Sequence, residues 1–265
     1  ITATAANKAS AEPTMPNDTP APQTKITKKY IRIQATDSSL WKYNRKAHTL
    51  IITGNGGTNS ENAAIIDADS QMDMDDGQRY NIGSFSLDST AKGRHAANEL
   101  ITKTEKIIIK DGITTINSAA FASFQSLTKI TIPNSVKKIG DFALKDCKRL
   151  QQIIIPASVV KIGGGAFENC TNLYDIKFES GSNCNSMENY PNNPGSSPIQ
   201  NCKSLRTFQM PNRIKYISKY FFEGCDSLES VSFGKNFRGY QMTFGDENIF
   251  DDSSSLLSKK LQKIK

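Results

Sequence analysis

Large aliphatic residues never run for more than three positions, as in Ile107-Ile108-Ile109 and Ile153-Ile154-Ile155. A membrane-spanning helix needs roughly 20 apolar residues, so no segment of this sequence crosses a bilayer as a helix. Histidine is nearly absent, with only His48 and His95. No Cys-x-x-Cys pair accompanies the five cysteines, so the ligand spacing of a zinc site is missing. No Gly-x-Ser-x-Gly elbow occurs, and neither histidine lies within the regular part of the chain. These absences exclude the common nucleophilic hydrolases. The net charge is +7, yet the lysines are spread along the whole chain with little aromatic interleaving. That pattern reads as a solvated basic surface and argues against nucleic acid as a partner. No secretory leader is visible at Ile1. The opening residues, rich in Ala, Thr, Pro and Asn, have too little apolar surface to offset their ordering entropy, so residues 1–27 are expected to be a disordered linker left after a leader.

What the sequence has is a repeat. Three units of 23 residues begin at Ile107, Ile130 and Ile153. Ile116, Ile139 and Ile162 share one position, Phe121, Leu144 and Phe167 a second, and Leu127, Leu150 and Leu173 a third. The next leucine, Leu205, comes 32 residues after Leu173, so nine extra residues fall in the turn-rich stretch GSNCNSMENYPNNPGSS. The 23-residue spacing then resumes from Leu205 to Leu228 and from Cys202 to Cys225. A second insertion is expected near residues 236–248. The closing Leu261-Gln262-Lys263-Ile264 echoes Leu150-Gln151-Gln152-Ile153, so the sequence stops inside an expected strand. Upstream, Ile82-Gly83-Ser84-Phe85-Ser86-Leu87 matches Ile139-Gly140-Asp141-Phe142-Ala143-Leu144 in pattern and suggests a degenerate first repeat, interrupted around KGRHAANEL.

The pattern Leu127-x-x-Ile130-x-Ile132 is that of a leucine-rich repeat. Strand alternation sends Ile130 and Ile132 inward and leaves Lys129 and Thr131 outward. Pro133, Pro156 and Pro211 follow and should close each strand after three or four residues, because proline cannot donate to a ladder. Val136 and Ile139 should face inward from the opposite wall. Gly140 or Gly163 should permit a tight turn, and Ala143 or Ala166 a short helical or 3-10 turn. A single coil cannot bury its own apolar stripe, so the coils must stack into an α/β solenoid with a parallel sheet. The expected organisation is a β-rich N-terminal cap over 28–105, in which KYIRIQ (29–34) and LIITG (50–54) read as strands, followed by the repeat solenoid over 106–265 with insertions near 182–197 and 236–248.

Units of the form I-x-I-P-x-S-V-x-x-I-G-x-x-A-F-x-x-C-x-x-L resemble the BspA-like, Treponema-type leucine-rich repeats of bacterial surface proteins. The resemblance covers roughly residues 107–233, and Trp41 with the segment Leu50–Gly56 resembles what often precedes such repeats. Departures are Phe124 where the family has Cys, Leu144 where it has Phe, and the two insertions. The resemblance implies an exported, extracellular or cell-surface protein of gut or oral bacteria, adhering to host extracellular proteins such as fibronectin or fibrinogen, or to glycans.

Several features have competing readings. Cys147, Cys170, Cys202 and Cys225 share one repeat position and are expected as buried free thiols in a stacked column. A Cys184–Cys202 pairing stays open if the first insertion folds back. The acidic run Asp67–Gly77 has Met72 where a calcium loop needs glycine, so it reads as a solvated loop with no bound metal. GNGG at 54–57 lacks the signals of a phosphate loop and reads as a turn. Asn169-Cys170-Thr171, a glycosylation sequon in form, carries no functional implication. Glu168, Asp175 and Glu179 are carboxylates that a glycan-active enzyme would have to bring together. No catalytic residue, metal ligand or cofactor site is assigned.

The expected ligand surface is the concave sheet face. It comprises Lys129, Thr131, Gln152, Ile154, Asp175, Lys177, Thr207, Gln209, Ser230 and Ser232, with Tyr174 and Arg206 at its rim. A spacer or self-assembling wall component would carry uniform small polar residues there. The mixture that includes Ile154, Tyr174 and Arg206 leans toward a binder.

Overall fold

The computed structural model describes residues 24–26, 29–36, 39–54, 64–66, 91–187, 197–214, 216–217, 220–233 and 243–244. The linker up to residue 23, the acidic run 67–77, the degenerate repeat at 82–87, the centre of the first insertion (188–196), most of the second, and the closing residues 261–264 lie outside the described residues.

Four strands open the fold: β1 (Thr24–Ile26), β2 (Tyr30–Thr36), β3 (Ser39–Asn44) and β4 (Thr49–Gly54). They form an antiparallel meander, with Ile33 opposite Trp41 and Trp41 opposite Ile52. The strand β1 lies within the last residues of the segment expected as linker. Strand β5 (Ala64–Ile66) and helix α1 (Ala91–Lys103) complete the N-terminal part. The helix falls where the sequence read only an interruption of the repeat. It buries Ala96, Leu100 and Ile101 on one face. Its carbonyl ends are met by the first coil, where the Gln125 amide donates to the Ile101 carbonyl (2.9 Å) and the Ser126 hydroxyl to the Thr102 carbonyl (2.6 Å). Helix termini leave such carbonyls without an internal partner, so these bonds fasten the cap to the repeats. Arg45, in the turn after β3, grips Glu99 of the helix with both prongs, at 2.9 and 2.6 Å.

The coils follow: β6 (Lys106–Ile109), β7 (Ile113–Ile116), β8 (Lys129–Thr131), β9 (Lys138–Ile139), β10 (Gln152–Ile155), β11 (Lys161–Ile162), β12 (Asp175–Phe178), β13 (Ser186–Met187), β14 (Thr207–Met210), β15 (Tyr216–Ile217), β16 (Ser230–Phe233) and β17 (Thr243–Phe244). Alternate strands stack on two walls. On the first wall β4, β6 and β8 pair in parallel, as do β10 with β12 and β14 with β16. Neighbours sit 23 residues apart, as Ile107↔Ile130 and Ile153↔Ile176 show. The sequence suggested one parallel sheet. A second forms on the opposite wall, in the order β13-β11-β9-β7-β5, with Ile116↔Ile139↔Ile162↔Met187 in register. From β6 onward each first-wall strand is three or four residues long, and Pro133, Pro156 and Pro211 open the turns beyond, accepting from Val136, Val159 and Ile214.

The third wall, expected as short helical turns, is a chain of hydrogen-bonded turns stitched to the next coil. Amides of Ala119, Phe121 and Ser123 donate to carbonyls of Asp141, Ala143 and Lys145, and Phe142, Leu144 and Asp146 donate in the same way to Gly164, Ala166 and Glu168. For alternate amides to point the same way the backbone must bend left-handed at both ends. Ala119, Ser123, Phe142, Asp146, Gly165, Asn169 and Asn201 accordingly have φ between 55° and 63°. Most of the column Ser123, Asp146, Asn169, Asn201, Gly224 is made of the residue types that tolerate this conformation. Its side chains also stack, with Asn169 Nδ2 donating to Asp146 Oδ1 (3.1 Å) and Asn201 Nδ2 to Asn169 Oδ1 (3.0 Å).

Gly140 and Gly163 lead into turns, as the sequence suggested, but neither has positive φ. Their hydrogens allow the coils to touch. A Cβ on Gly140 would lie 2.5 Å from the Ser118 nitrogen, and one on Gly163 would lie 2.6 Å from the Asp141 nitrogen.

One continuous core runs from Ile31 in the cap to Leu228 in the last described coil. The four aligned cysteines lie inside it as free thiols, as does Cys184. Each aligned thiol donates to a carbonyl of the preceding coil: Cys147 to Phe121, Cys170 to Leu144, Cys202 to Phe167 and Cys225 to Ile199, at 3.1–3.3 Å. Cysteine suits this column because it is small, apolar and still a weak donor. Burial pushes the Cys147 and Cys225 thiols up to about 12, and those of Cys170 and Cys202 well above their ordinary value. Phe124 replaces cysteine in the first coil, where its ring meets Phe121 edge-on at 5.8 Å, and Phe121 in turn packs on Trp41 at 5.5 Å. The junction with the cap is filled by rings where later coils need only a thiol.

Candidate binding surface

The exposed surface of the first wall is made by strand residues whose neighbours fill the core. In β10 Ile153 and Ile155 are buried while Gln152 and Ile154 are exposed, and in β14 Phe208 and Met210 are buried while Thr207 and Gln209 are exposed. The parallel register converts these alternations into columns. Lys129 is paired with Lys106 and Thr131 with Ile108; Gln152 is paired with Asp175 and Ile154 with Lys177; Thr207 is paired with Ser230 and Gln209 with Ser232. Of the twelve residues assigned to this face and its rim from the sequence, ten lie in the strands β8, β10, β12, β14 and β16. Eleven are exposed and Asp175 is half-buried. Tyr174 and Arg206 occupy equivalent positions in successive coils, one residue before their strands.

Two side-chain contacts organise the middle of the face. The Gln152 amide donates to the Tyr174 hydroxyl. The Lys177 ammonium and the Asp175 carboxylate are 3.0 Å apart within β12. Ile154, held outward between buried Ile153 and Ile155, is 56 % exposed, and Tyr174 is 42 % exposed. Large apolar side chains are usually buried, so Ile154 on β10 and Tyr174 just before β12 stand out as apolar groups in a polar field.

The three carboxylates considered for catalysis do not share a site. Glu168 lies on the third wall and pairs with Lys145 (3.0 Å), Asp175 pairs with Lys177 on the first wall, and Glu179 Oε2 accepts the Ala157 amide (3.1 Å) beyond the strand end. His48 meets the Tyr43 hydroxyl (3.0 Å) in the cap, and His95 is exposed on α1. Among the described residues, no group of three or more His, Cys, Asp or Glu is arranged to hold a metal ion, and no helix is long and apolar enough to cross a membrane.

Sequence reasoning passed over a cleft beside this face. Strands β12 and β14 lie side by side but make no backbone ladder, as do β8 and β10, whereas β10–β12 and β14–β16 are paired along their full length. At their ends opens a cavity of about 400 Å³ whose walls include Phe178, Glu179, Gly181, Gln209, Asn212 and Arg213. The signal in the sequence was a break in the repeat, with Phe178 where Ile132 and Ile155 stand in earlier coils and Glu179 where they have Pro133 and Pro156.

No curated protein matches the chain. Among solved structures it is similar to a leucine-rich repeat protein of Treponema pallidum, with 20 % identity over 60 % of this chain and 83 % of the other and a TM-score of 0.45. It is also similar to the pneumococcal vaccine antigen PcpA, with 18 % identity over 79 % of this chain and a TM-score of 0.46, and it spans only 51 % of that protein. A leucine-rich repeat protein of Eubacterium ventriosum matches with 19 % identity over 78 % of this chain and 61 % of the other, at a TM-score of 0.37. Stacked-coil repeats of this kind offer an extended surface to other molecules. The family described as BspA type leucine-rich repeat region matches in six copies over residues 99–193 and 195–264, well over half the sequence, and this chain therefore belongs to that family.

Proposed function

We propose that this chain is a non-enzymatic binding module, exported and displayed at a bacterial surface, that adheres to a host extracellular protein of the fibronectin or fibrinogen kind. Glycan chains on such a protein belong to the same target. The contact surface is the exposed face of the first wall, from Lys129 and Thr131 to Ser230 and Ser232.

The observation that carries this reading is the exposure of Ile154 and Tyr174 within a row of residues that have no packing duty. Tyrosine and arginine are the side chains that most often dominate binding energy at interfaces. The hydroxyl of Tyr174 is already held by Gln152, which lowers the entropy lost when a partner arrives. Family membership agrees with a scaffold of this type.

The test is binding of immobilised fibronectin and fibrinogen to the full chain and to a Tyr174→Ala, Arg206→Ala double variant. Hot-spot side chains contribute about 2 kcal/mol each, or about 30-fold in Kd. The double variant should therefore lose at least that factor while its melting temperature stays within about 2 °C, because neither residue is buried. Undiminished binding by the double variant removes this face from the proposal, and wild-type chain that retains neither protein removes the partner.

A further inference from the structure

Two departures from the second and third coils fall at one place in the fourth. The strand-end position that is filled by buried Ile109, Ile132, Ile155 and Met210 is filled there by Phe178, whose ring is only half-buried and meets Phe208 edge-on at 6.2 Å. The proline that closes the neighbouring strands is replaced by exposed Glu179, followed by Gly181, where a Cβ would meet no atom within 4 Å. Beside them β12 and β14 carry no backbone ladder, as β8 and β10 carry none. Natural sequences tend to break their own local rules at functional sites, and here the breaks surround the 400 Å³ cavity.

The chemistry of the walls selects the occupant. Glu179 keeps one carboxylate oxygen for a ligand while the other holds the Ala157 amide. Gln209 and Asn212 offer amides that donate and accept, and Arg213 offers a planar set of donors. Glu179 and Arg213 cancel in charge, so a strongly anionic ligand gains one partner and is repelled by the other. The wall mixes apolar and polar surface, so a purely apolar ligand would leave its polar groups without partners. A sugar satisfies every element: its hydroxyls both donate and accept, and its C–H face packs on a half-buried ring such as that of Phe178. The volume falls within the range of small-ligand sites, about 300–1,000 Å³.

We propose that this cleft is a saccharide subsite that takes a terminal neutral hexose or N-acetylhexosamine. It goes beyond the sheet-face reading and does not depend on it, sharing only Gln209 with that surface.

The experiment is saturation-transfer difference NMR on the full chain with methyl β-galactoside, N-acetylglucosamine and N-acetylneuraminic acid as probes. The expected result is transfer to at least one neutral sugar, at least tenfold weaker binding in both Asn212→Ala and Arg213→Ala, and no change in Tyr174→Ala. Both altered residues are exposed turn residues, so unchanged melting temperatures will show that the fold is intact. Transfer to none of the probes, transfer only to the acidic sugar, or neutral-sugar binding that survives both substitutions overturns the proposal. None of these outcomes touches the behaviour of the Tyr174 and Arg206 double variant toward fibronectin or fibrinogen, so the two readings fail separately.

Discussion

Substitution of Gly140 by alanine probes how tightly the coils are stacked. The added methyl would lie 2.5 Å from the Ser118 nitrogen, 2.6 Å from the Asn117 carbonyl carbon and 3.0 Å from the Ser118 Cα. All three are backbone atoms of the preceding coil, so no side chain can swing away. Ordinary contact begins at 3.4 Å, and relief requires the coils to part locally by nearly 1 Å. That stretches the Gly140 amide bond to the Ile116 carbonyl (2.7 Å) and the Ala119 bond to the Asp141 carbonyl (2.8 Å) beyond useful length. Overpacking costs about 1–3 kcal/mol, and two weakened hydrogen bonds add about 0.5–1.5 kcal/mol each. Alanine offsets about 0.4–1 kcal/mol by restricting the unfolded chain. The net loss is about 3 kcal/mol, and a domain of this size loses about 2–4 °C per kcal/mol, so melting followed by circular dichroism should fall by about 6–12 °C. Gly181→Ala is the control. It carries strain at φ 77° but meets no atom, so it should lose only about 1 kcal/mol. If Gly140→Ala melts within about 2 °C of the wild type, or above Gly181→Ala, the coils are not in hard contact and the reasoning fails.

Alkylation of native protein at pH 8 should label none of the five thiols and, after denaturation, all five, as read by mass spectrometry; recovery of any disulfide contradicts the free-thiol column. Because burial raises the folded thiols from 9.0 to about 12, the unfolded chain releases protons first as pH rises. Stability by urea titration should therefore be level below pH 9 and decline between pH 9 and 12, a window that Tyr43, also pushed up to about 12 by burial, reinforces. Asn169→Gly should be less harmful than Asn169→Ala by about 1 kcal/mol, because φ at this position is 60° and glycine accepts it without strain; equal melting temperatures would show that the side-chain ladder alone matters. Arg45→Lys, which cannot grip both oxygens of Glu99, should cost about 1 kcal/mol and lower the melting temperature by a few degrees.

The repeat was legible because a solenoid writes its cross-section once every 23 residues. Recurrence of Ile116, Ile139 and Ile162, or of Leu127, Leu150 and Leu173, identifies the inward columns without any knowledge of the coil's path, and all six side chains are buried. The outward row from Lys129 to Ser232 followed from the same alternation, since a residue between two buried strand neighbours must point away. The cysteine column was legible by its register, and its donation to the preceding coil was not.

Other features lay beyond a linear reading. The second sheet has strands of two residues, such as Lys138–Ile139, too short to show any alternation. The left-handed column Ser123, Asp146, Asn169, Asn201, Gly224 is present in the sequence as a run of Ser, Asp, Asn and Gly at the repeat spacing, yet those residue types suit many turns, and only the stitching of alternate amides to the next coil makes the conformation necessary. Helix α1 shows a weak apolar stripe and is held by what it packs against. The sequence by itself determined the coil, its inward columns and its outward row, because these depend on periodicity within one chain segment. Tertiary structure alone decided how closely successive coils approach at Gly140, where the ladder lapses between β12 and β14, and that Phe178 and Arg213 line one cleft, because each depends on a distance across stacked coils that residue order does not contain.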